Sequence, residues 1–175
     1  MEASVISGLL DEEAASLHDQ LGDDRRIFAF EADFADDLRC IPMAVRFKLD
    51  RVGIKVSLKQ WTKIGPANRL ALLALRCDAP QEIAAYRKTL AGMIAMHSNE
   101  PIKPIAAEFE PAWTDRQRVP VSVVEQATRA ELPEPTLDAW SKLSTLERFA
   151  LLKLARSNHD NDNFGLALRE FGIAP

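Results

Sequence analysis

The stretch Leu58-Lys59-Gln60-Trp61-Thr62-Lys63-Ile64, followed by Arg69-Leu70-Ala71-Leu72-Leu73-Ala74-Leu75, recurs 79 residues later. The second copy reads Leu137-Asp138-Ala139-Trp140-Ser141-Lys142-Leu143, then Arg148-Phe149-Ala150-Leu151-Leu152-Lys153-Leu154. Eight of the eighteen paired positions are identical, among them both tryptophans and both arginines, which a shared leucine-rich composition does not explain. The match extends upstream with a one-residue slip: Ile41-Pro42 against Val119-Pro120, Val45 against Val123, and Arg51 against Arg129. Two copies of one unit follow, each opening on proline, running a helix, turning, making a short Trp-bearing helix and entering a leucine-rich helix apolar nearly all round. Such a helix needs burial on several sides, so the Leu70–Leu75 and Phe149–Leu154 helices are expected to pack together at the centre. Two copies are too few for a solenoid. The expected fold is all-α: a compact helical domain of two similar helical units with approximate internal two-fold symmetry, plus an N-terminal amphipathic helix.

Outward from the repeat, Pro42 suits the first turn of a helix to Val52, where Gly53 ends it, and Pro66 and Pro80 mark further starts. The helix after Pro80 runs through Ile83, Tyr86, Leu90 and Ile94 to about His97. Pro101, Pro104 and Pro111 make 98–118 a connection between unit one, about 41–97, and unit two, about 119–173. The whole of 27–175 is read as a single helical domain. Ile27-Phe28-Ala29-Phe30 alternates too briefly to choose between a short strand and an extended entry into a helix over 31–38. Residues 1–26 place Ile6, Leu9, Leu10, Ala14, Leu17 and Leu21 at helical spacing with acids between, an acidic amphipathic extension closing on Gly22. Ser57, Thr136 and Ser144 stand where N-caps are wanted, and Glu147 completes a capping box with Ser144. Trp61 and Trp140 are expected to pin each short helix to the core.

A chain of 175 residues, 47% hydrophobic and 27% charged, has ordinary soluble composition. At this size a folded chain removes roughly 70% of its extended surface from water, so a core forms without disulfides or a structural metal. Cys40 and Cys77 make no framework, residues 1–24 carry no Lys or Arg as a signal peptide would, and no apolar run is long enough to span a bilayer. The expectation from these features is a cytoplasmic protein with reduced thiols.

Charge is uneven. Residues 1–37 hold eleven acids against two bases, a net −9, and the remaining 138 residues carry +5. Nine bases and one acid, Asp50, fall between 39 and 76: Arg39, Arg46, Lys48, Arg51, Lys55, Lys59, Lys63, Arg69 and Arg76. Such a stretch either attracts an anionic ligand, an acidic protein face or nucleic acid, or forms a solvated face balanced by the acidic segment. Asp50 reads as an ion partner of Arg46 or Lys48. Arg69 and Arg148, at equivalent places in the repeat, either form a pair of anion contacts or satisfy nearby carbonyls.

Catalytic and cofactor signatures are absent. No P-loop or GxGxxG exists, and seven glycines leave no loop to cradle a phosphate on backbone amides. Cys40, Cys77, His97 and His159 are too scattered to assemble a zinc site. Asp160-Asn161-Asp162-Asn163 with Gly165 resembles the start of a calcium loop, but the twelfth position is Phe171 in place of the required Glu, so these residues are expected to cap a last helix, Phe164–Phe171. Cys40 beside Arg39 could hold a lowered thiol pKa, yet between Leu38 and Ile41 it reads as a small buried residue. The expectation is no metal, no cofactor and no enzyme activity.

Phe28-Ala29-Phe30-Glu31-Ala32-Asp33-Phe34, Leu38-Arg39-Cys40-Ile41-Pro42-Met43, Val45-Arg46, Lys48-Leu49-Asp50 and Gly53-Ile54-Lys55 resemble the opening signature of the nitrate reductase-associated protein family. Arg148-Phe149-Ala150-Leu151, Lys153-Leu154, His159, Asn163-Phe164, Ala167-Leu168 and Glu170-Phe171 are similar to its closing part. The resemblance covers about 28–173 and leaves residues 1–26 outside. It implies small cytoplasmic bacterial proteins typically encoded beside nitrate assimilation and molybdopterin biosynthesis genes, with no catalytic residues to carry over.

The function expected from both lines is a non-enzymatic accessory protein that binds nitrate reductase or its molybdenum-cofactor maturation machinery. The binding surface is expected near 38–55, with Arg39, Arg46, Lys48 and Lys55 as contacts. The alternative is a sensor of an anion such as nitrate or molybdate, held between the two units by Arg69 and Arg148. Nucleic-acid binding ranks below both, since the pI is 5.4 and no helix-turn-helix spacing is present. Oligomeric state is left open.

Overall fold

The computed structural model describes residues 24–105, 111–156 and 162–175; the helix expected over 1–26 falls almost entirely outside them. The described residues divide into two compact units, Asp24–Pro111 and Ala112–Pro175. Both are mainly helical, and among the described residues no helix is long and apolar enough to cross a membrane.

In the first unit the ambiguous Ile27–Phe30 stretch resolves as neither strand nor α-helix. Phe28 is extended and caps a 3-10 helix, Ala29–Phe34, with the Phe28 and Phe30 rings stacked at 5.1 Å. Buried Glu31 explains the choice. Its carboxylate accepts from Phe28 N at 3.1 Å and from Met43 N at 2.8 Å, tying the short helix to the start of the next one. That next helix, α1 (Met43–Val52), follows Pro42, which has no side-chain acceptor to offer, so Glu31 satisfies one of the orphan N–H groups. Gly53 ends α1 at φ +66°, a left-handed cap that suits glycine.

After α1 come β1 (Ile54–Lys55), α2 (Leu58–Lys63), α3 (Pro66–Ala74), α4 (Pro80–His97) and β2 (Lys103–Pro104). Helix α1 packs against α3, α4 and β1, while α2 and α3 both rest on α4. The two strands pair antiparallel, Ile54 opposite Pro104 and Lys55 opposite Lys103. Among the described residues the helical expectation is met apart from this one short ladder, where the proline-rich stretch that cannot be helical becomes extended and finds backbone partners, with Ile105 N donating to Gly53 O at 3.0 Å.

The second unit holds α5 (Val121–Arg129), α6 (Leu137–Lys142), α7 (Thr145–Ala155) and α8 (Asp162–Glu170), with α7 packed on α5 and α8. The stretch expected as a pure connection is shared between the units, since Lys103–Pro104 pairs in the first and Trp113 and Asp115 accept hydrogen bonds in the second. The predicted caps are in place: Ser57 accepts from Gln60 N, Thr136 from Ala139 N, and Ser144 from Glu147 N. Glu147 closes its capping box by accepting from Ser144 N at 2.8 Å.

The leucine helices depart from expectation. Helix α7 is buried on nearly every side, through Leu146, Phe149, Ala150, Leu151, Leu152, Leu154 and Ala155. Helix α3 is not: it buries Leu72, Leu73 and Arg69, while Leu70 is 60% exposed and the chain leaves the helix before Leu75. An apolar sequence all round therefore corresponds to burial all round in one copy only.

Candidate functional site

Each copy of the repeat builds the same local clamp from its tryptophan and arginine. Trp61 is fully buried and donates through Nε1 to Leu38 O at 2.6 Å. Arg69 donates from Nε to Trp61 O at 3.1 Å, from Nη1 to Asp37 O at 3.1 Å, and from Nη2 to Thr62 O at 2.8 Å. In the second unit Trp140, also fully buried, donates to Asp115 O at 2.9 Å. Arg148 donates to Trp113 O at 2.7 Å, to Leu143 O, and to Thr145 Oγ1 at 3.3 Å. Each tryptophan thus anchors its short helix, and each guanidinium binds that helix and the segment upstream of the proline. Burial, with Arg116 adding to it, lowers the Arg148 pKa. Of the two readings of these arginines, carbonyl satisfaction describes the hydrogen bonds that each of them makes.

The basic stretch sorts into groups once its side chains are placed. Arg39 is exposed but balanced: Nη2 meets Asp33 Oδ2 at 2.8 Å and Nη1 lies 3.7 Å from Asp37 Oδ1. Arg51 pairs with Asp78 at 2.8 Å, and Arg76 with Glu82 at 3.2 Å. Arg46 is exposed, donates from Nε to Ile41 O at 2.9 Å, and meets no carboxylate among the described residues. Lys55 is exposed on β1.

Lys48 does not belong to the expected surface; its side chain is fully buried. Nζ donates to Leu73 O at 2.7 Å and Leu75 O at 2.6 Å, and lies 3.6 Å from Asp24 Oδ2. Those carbonyls are the orphaned end of α3, where a cation also meets the negative end of the helix dipole. Its ionic partner is Asp24, with the Tyr86 ring 5.9 Å away. Burial lowers the lysine pKa and Asp24 opposes that shift. Beside it, burial pushes the Cys77 thiol up to about 11, with the charges of Arg51 and Lys48 pulling the other way, and raises the Tyr86 phenol. A protonated thiol of this kind is a poor nucleophile.

A feature outside the expected residues lies on the far side of Lys55. Lys103 stands opposite Lys55 in the β ladder, which places both side chains on one face. Lys59 and Lys63 sit one turn apart on α2. Glu100 lies among them: Lys59 Nζ reaches its Oε1 at 2.7 Å. That hydrogen bond first, then the charges of Lys59, Lys63 and Lys103, hold its carboxyl below the usual range. Gln60 positions the group. As the third residue of α2 it closes the capping box with Ser57, and its Nε2 donates to Glu100 O at 3.4 Å and Pro101 O at 3.5 Å. Leu58 and Ile102, neighbours of Lys59 and Lys103 in the chain, are exposed. The signal for this face was available in the repeat, where Lys59 occupies the place of Asp138.

The remaining candidates do not converge. Cys40 is half-buried, Cys77 is buried, and exposed His97 faces Asn68 Nδ2 at 3.3 Å. His159, Asp160 and Asn161 lie outside the described residues. Among the described residues no group of three His, Cys, Asp or Glu side chains is placed to hold a metal ion.

Compared with known proteins, residues 27–171 match the family model described as conserved nitrate reductase-associated protein. No curated protein and no solved structure matches the chain.

Proposed function

This chain belongs to the conserved nitrate reductase-associated protein family, and from that premise we propose that it is a non-enzymatic accessory protein of nitrate assimilation. Its partner is nitrate reductase or the machinery that matures the molybdenum cofactor of that enzyme. The observation that carries the reading is the family match, joined to exposed positive charge on the first unit. Of the contacts expected near 38–55, Arg39, Arg46 and Lys55 are exposed, and Arg46 and Lys55 meet no carboxylate among the described residues. Cations left in solvent around a folded unit raise the encounter rate with an acidic protein face. The hydrogen bonds of Arg69 and Arg148 run mostly to carbonyls of their own unit, so the exposed charge of the first unit is the stronger ground and the accessory reading is preferred to the anion-sensor alternative.

Tagged co-purification from the native host grown on nitrate tests this reading, with Arg39→Glu/Arg46→Glu as the control. Recovery of nitrate reductase or a cofactor-maturation protein with the wild type, reduced in the variant, is the expected result. Neither protein recovered with the wild type would overturn the reading.

A further inference from the structure

We propose that the centre of the partner-binding surface is the lysine face of Lys55, Lys59, Lys63 and Lys103 with Leu58 and Ile102, and that its occupant is an acidic protein segment bearing an aliphatic side chain. The inference rests on the accessory reading above and names where and by what chemistry the partner is held.

Two features of the face cost the isolated protein stability. Like charges directly opposed across an antiparallel ladder repel, as Lys55 and Lys103 do. Like charges four apart on a helix repel too, and Lys59 and Lys63 are so placed. The repeat shows the alternative: at the equivalent positions Asp138 and Lys142 form an ion pair at 2.7 Å. One carboxylate, Glu100, pairs with Lys59 and feels the charges of Lys63 and Lys103, so the four lysines keep an excess of positive charge. An acidic partner would relieve both repulsions at once, which is the charge complementarity that selects this occupant.

The type of polyanion follows from the side chains. Sequence-tolerant binding of single-stranded nucleic acid uses aromatic platforms and arginine, whereas this face has lysines and no aromatic residue among the six named. Leu58 and Ile102 instead offer aliphatic surface beside the charges, 56% and 37% exposed. Exposed aliphatic side chains next in the chain to Lys59 and Lys103 fit a segment in which Leu or Ile lies among Glu and Asp.

Fluorescence anisotropy on the full chain tests the proposal with three labelled probes of matched charge: a short Glu/Leu peptide, a polyglutamate peptide and an oligothymidylate. The Glu/Leu peptide is expected to bind best, to weaken with added salt, and to lose about tenfold in affinity against Lys59→Glu/Lys103→Glu. Both substituted residues are exposed and the pair lost with Glu100 is a surface one, so the melting temperature should fall by no more than a few degrees and serves as the folding control, with Lys59→Gln/Lys103→Gln as the milder variant. Unchanged affinity in that variant overturns the face. Oligothymidylate binding as tightly as the Glu/Leu peptide overturns the protein occupant, and polyglutamate doing so, with Leu58→Ser neutral, overturns the aliphatic anchor. Co-purification with Lys59→Glu/Lys103→Glu separates this inference from its premise. If the variant recovers the reductase as the wild type does, the face is wrong and the accessory reading stands; if the wild type recovers none while the peptide still discriminates, the face stands and the accessory reading falls.

Discussion

Leu58–Leu75 and Leu137–Leu154 share eight residues of eighteen but use the rest in opposite ways. The shared Trp and Arg build the clamp in both copies, each Trp Nε1 and each guanidinium reaching a carbonyl upstream of the proline, through Nη1 in Arg69 and Nε in Arg148. Where the copies differ, the second favours folding and the first favours the surface. Phe149 is fully buried and meets Trp113 edge-on at 5.2 Å, whereas Leu70 at the same place faces solvent. Asp138 pairs within its helix, whereas Lys59 turns to Glu100. With the upstream slip, Lys48 corresponds to Gln126; both are buried, but Lys48 caps a helix with its charge while Gln126 accepts from Arg129 at 3.0 Å. The lesson is that the shared Trp and Arg mark what each unit needs to fold, while differing positions such as Lys59 and Asp138 mark where their tasks separate.

The largest contrast should come from the paired positions Phe149 and Leu70. Phe149→Ala is expected to cost about 3–5 kcal/mol by removing a buried ring, and Leu70→Ala less than about 0.5 kcal/mol. Denaturant unfolding measures both, and equal losses would break the comparison. Next in size are Arg69→Met and Arg148→Met, which strand buried carbonyls and should cost about 2–3 kcal/mol each. Hydrogen exchange resolved by segment should show each loss in its own unit.

Alkaline stability separates the units through a thiol that only the first contains. The unfolded Cys77 thiol titrates near 9.0 and the folded one at about 11, so between those values the native state holds a proton the unfolded chain has lost. Its contribution is present below pH 9 and lost as pH rises to 11. Lys48 has the opposite sign, since its lowered folded pKa makes stability rise with pH up to about 10.5. Cys77→Ala should therefore flatten the fall between pH 9 and 11, read by thermal melts across that range. A smaller effect is expected from Gln60→Ala, which makes the first copy like Ala139 of the second and frees Glu100–Pro101; about 1 kcal/mol should be lost, with faster exchange at Ile105 N. The smallest is Lys59→Asp, where the helical pair gained with Lys63 is offset by the surface pair lost with Glu100, so stability should change by less than about 0.5 kcal/mol while charge leaves the face.

The helices were legible because their signals are local. Pro42, Gly53, Ser57, Pro66, Pro80 and Ser144 act within one turn of where they stand, and the elements begin or end there. The lysine face was less so. Lys55 and Lys103 are 48 residues apart and meet through a ladder two residues long, too short for a periodic signal. Lys48 could not be placed because the carbonyls it caps lie 25 and 27 residues away. The 3-10 helix at Ala29–Phe34 depends on Glu31 reaching Met43, a contact across twelve residues that no local propensity encodes. The exposure of α3 follows from neighbours and not from composition, since α7 has nearly the same leucines and is buried.

The most direct measurement is lysine acetylation, read residue by residue, on the tagged full chain before and after capture of nitrate reductase from nitrate-grown cells. Protection of Lys55, Lys59, Lys63 and Lys103, with Lys142 and Lys153 unchanged, is what the division of labour between the copies predicts. Protection centred on Lys142 and Lys153, or none at the four lysines of the first unit, would contradict it.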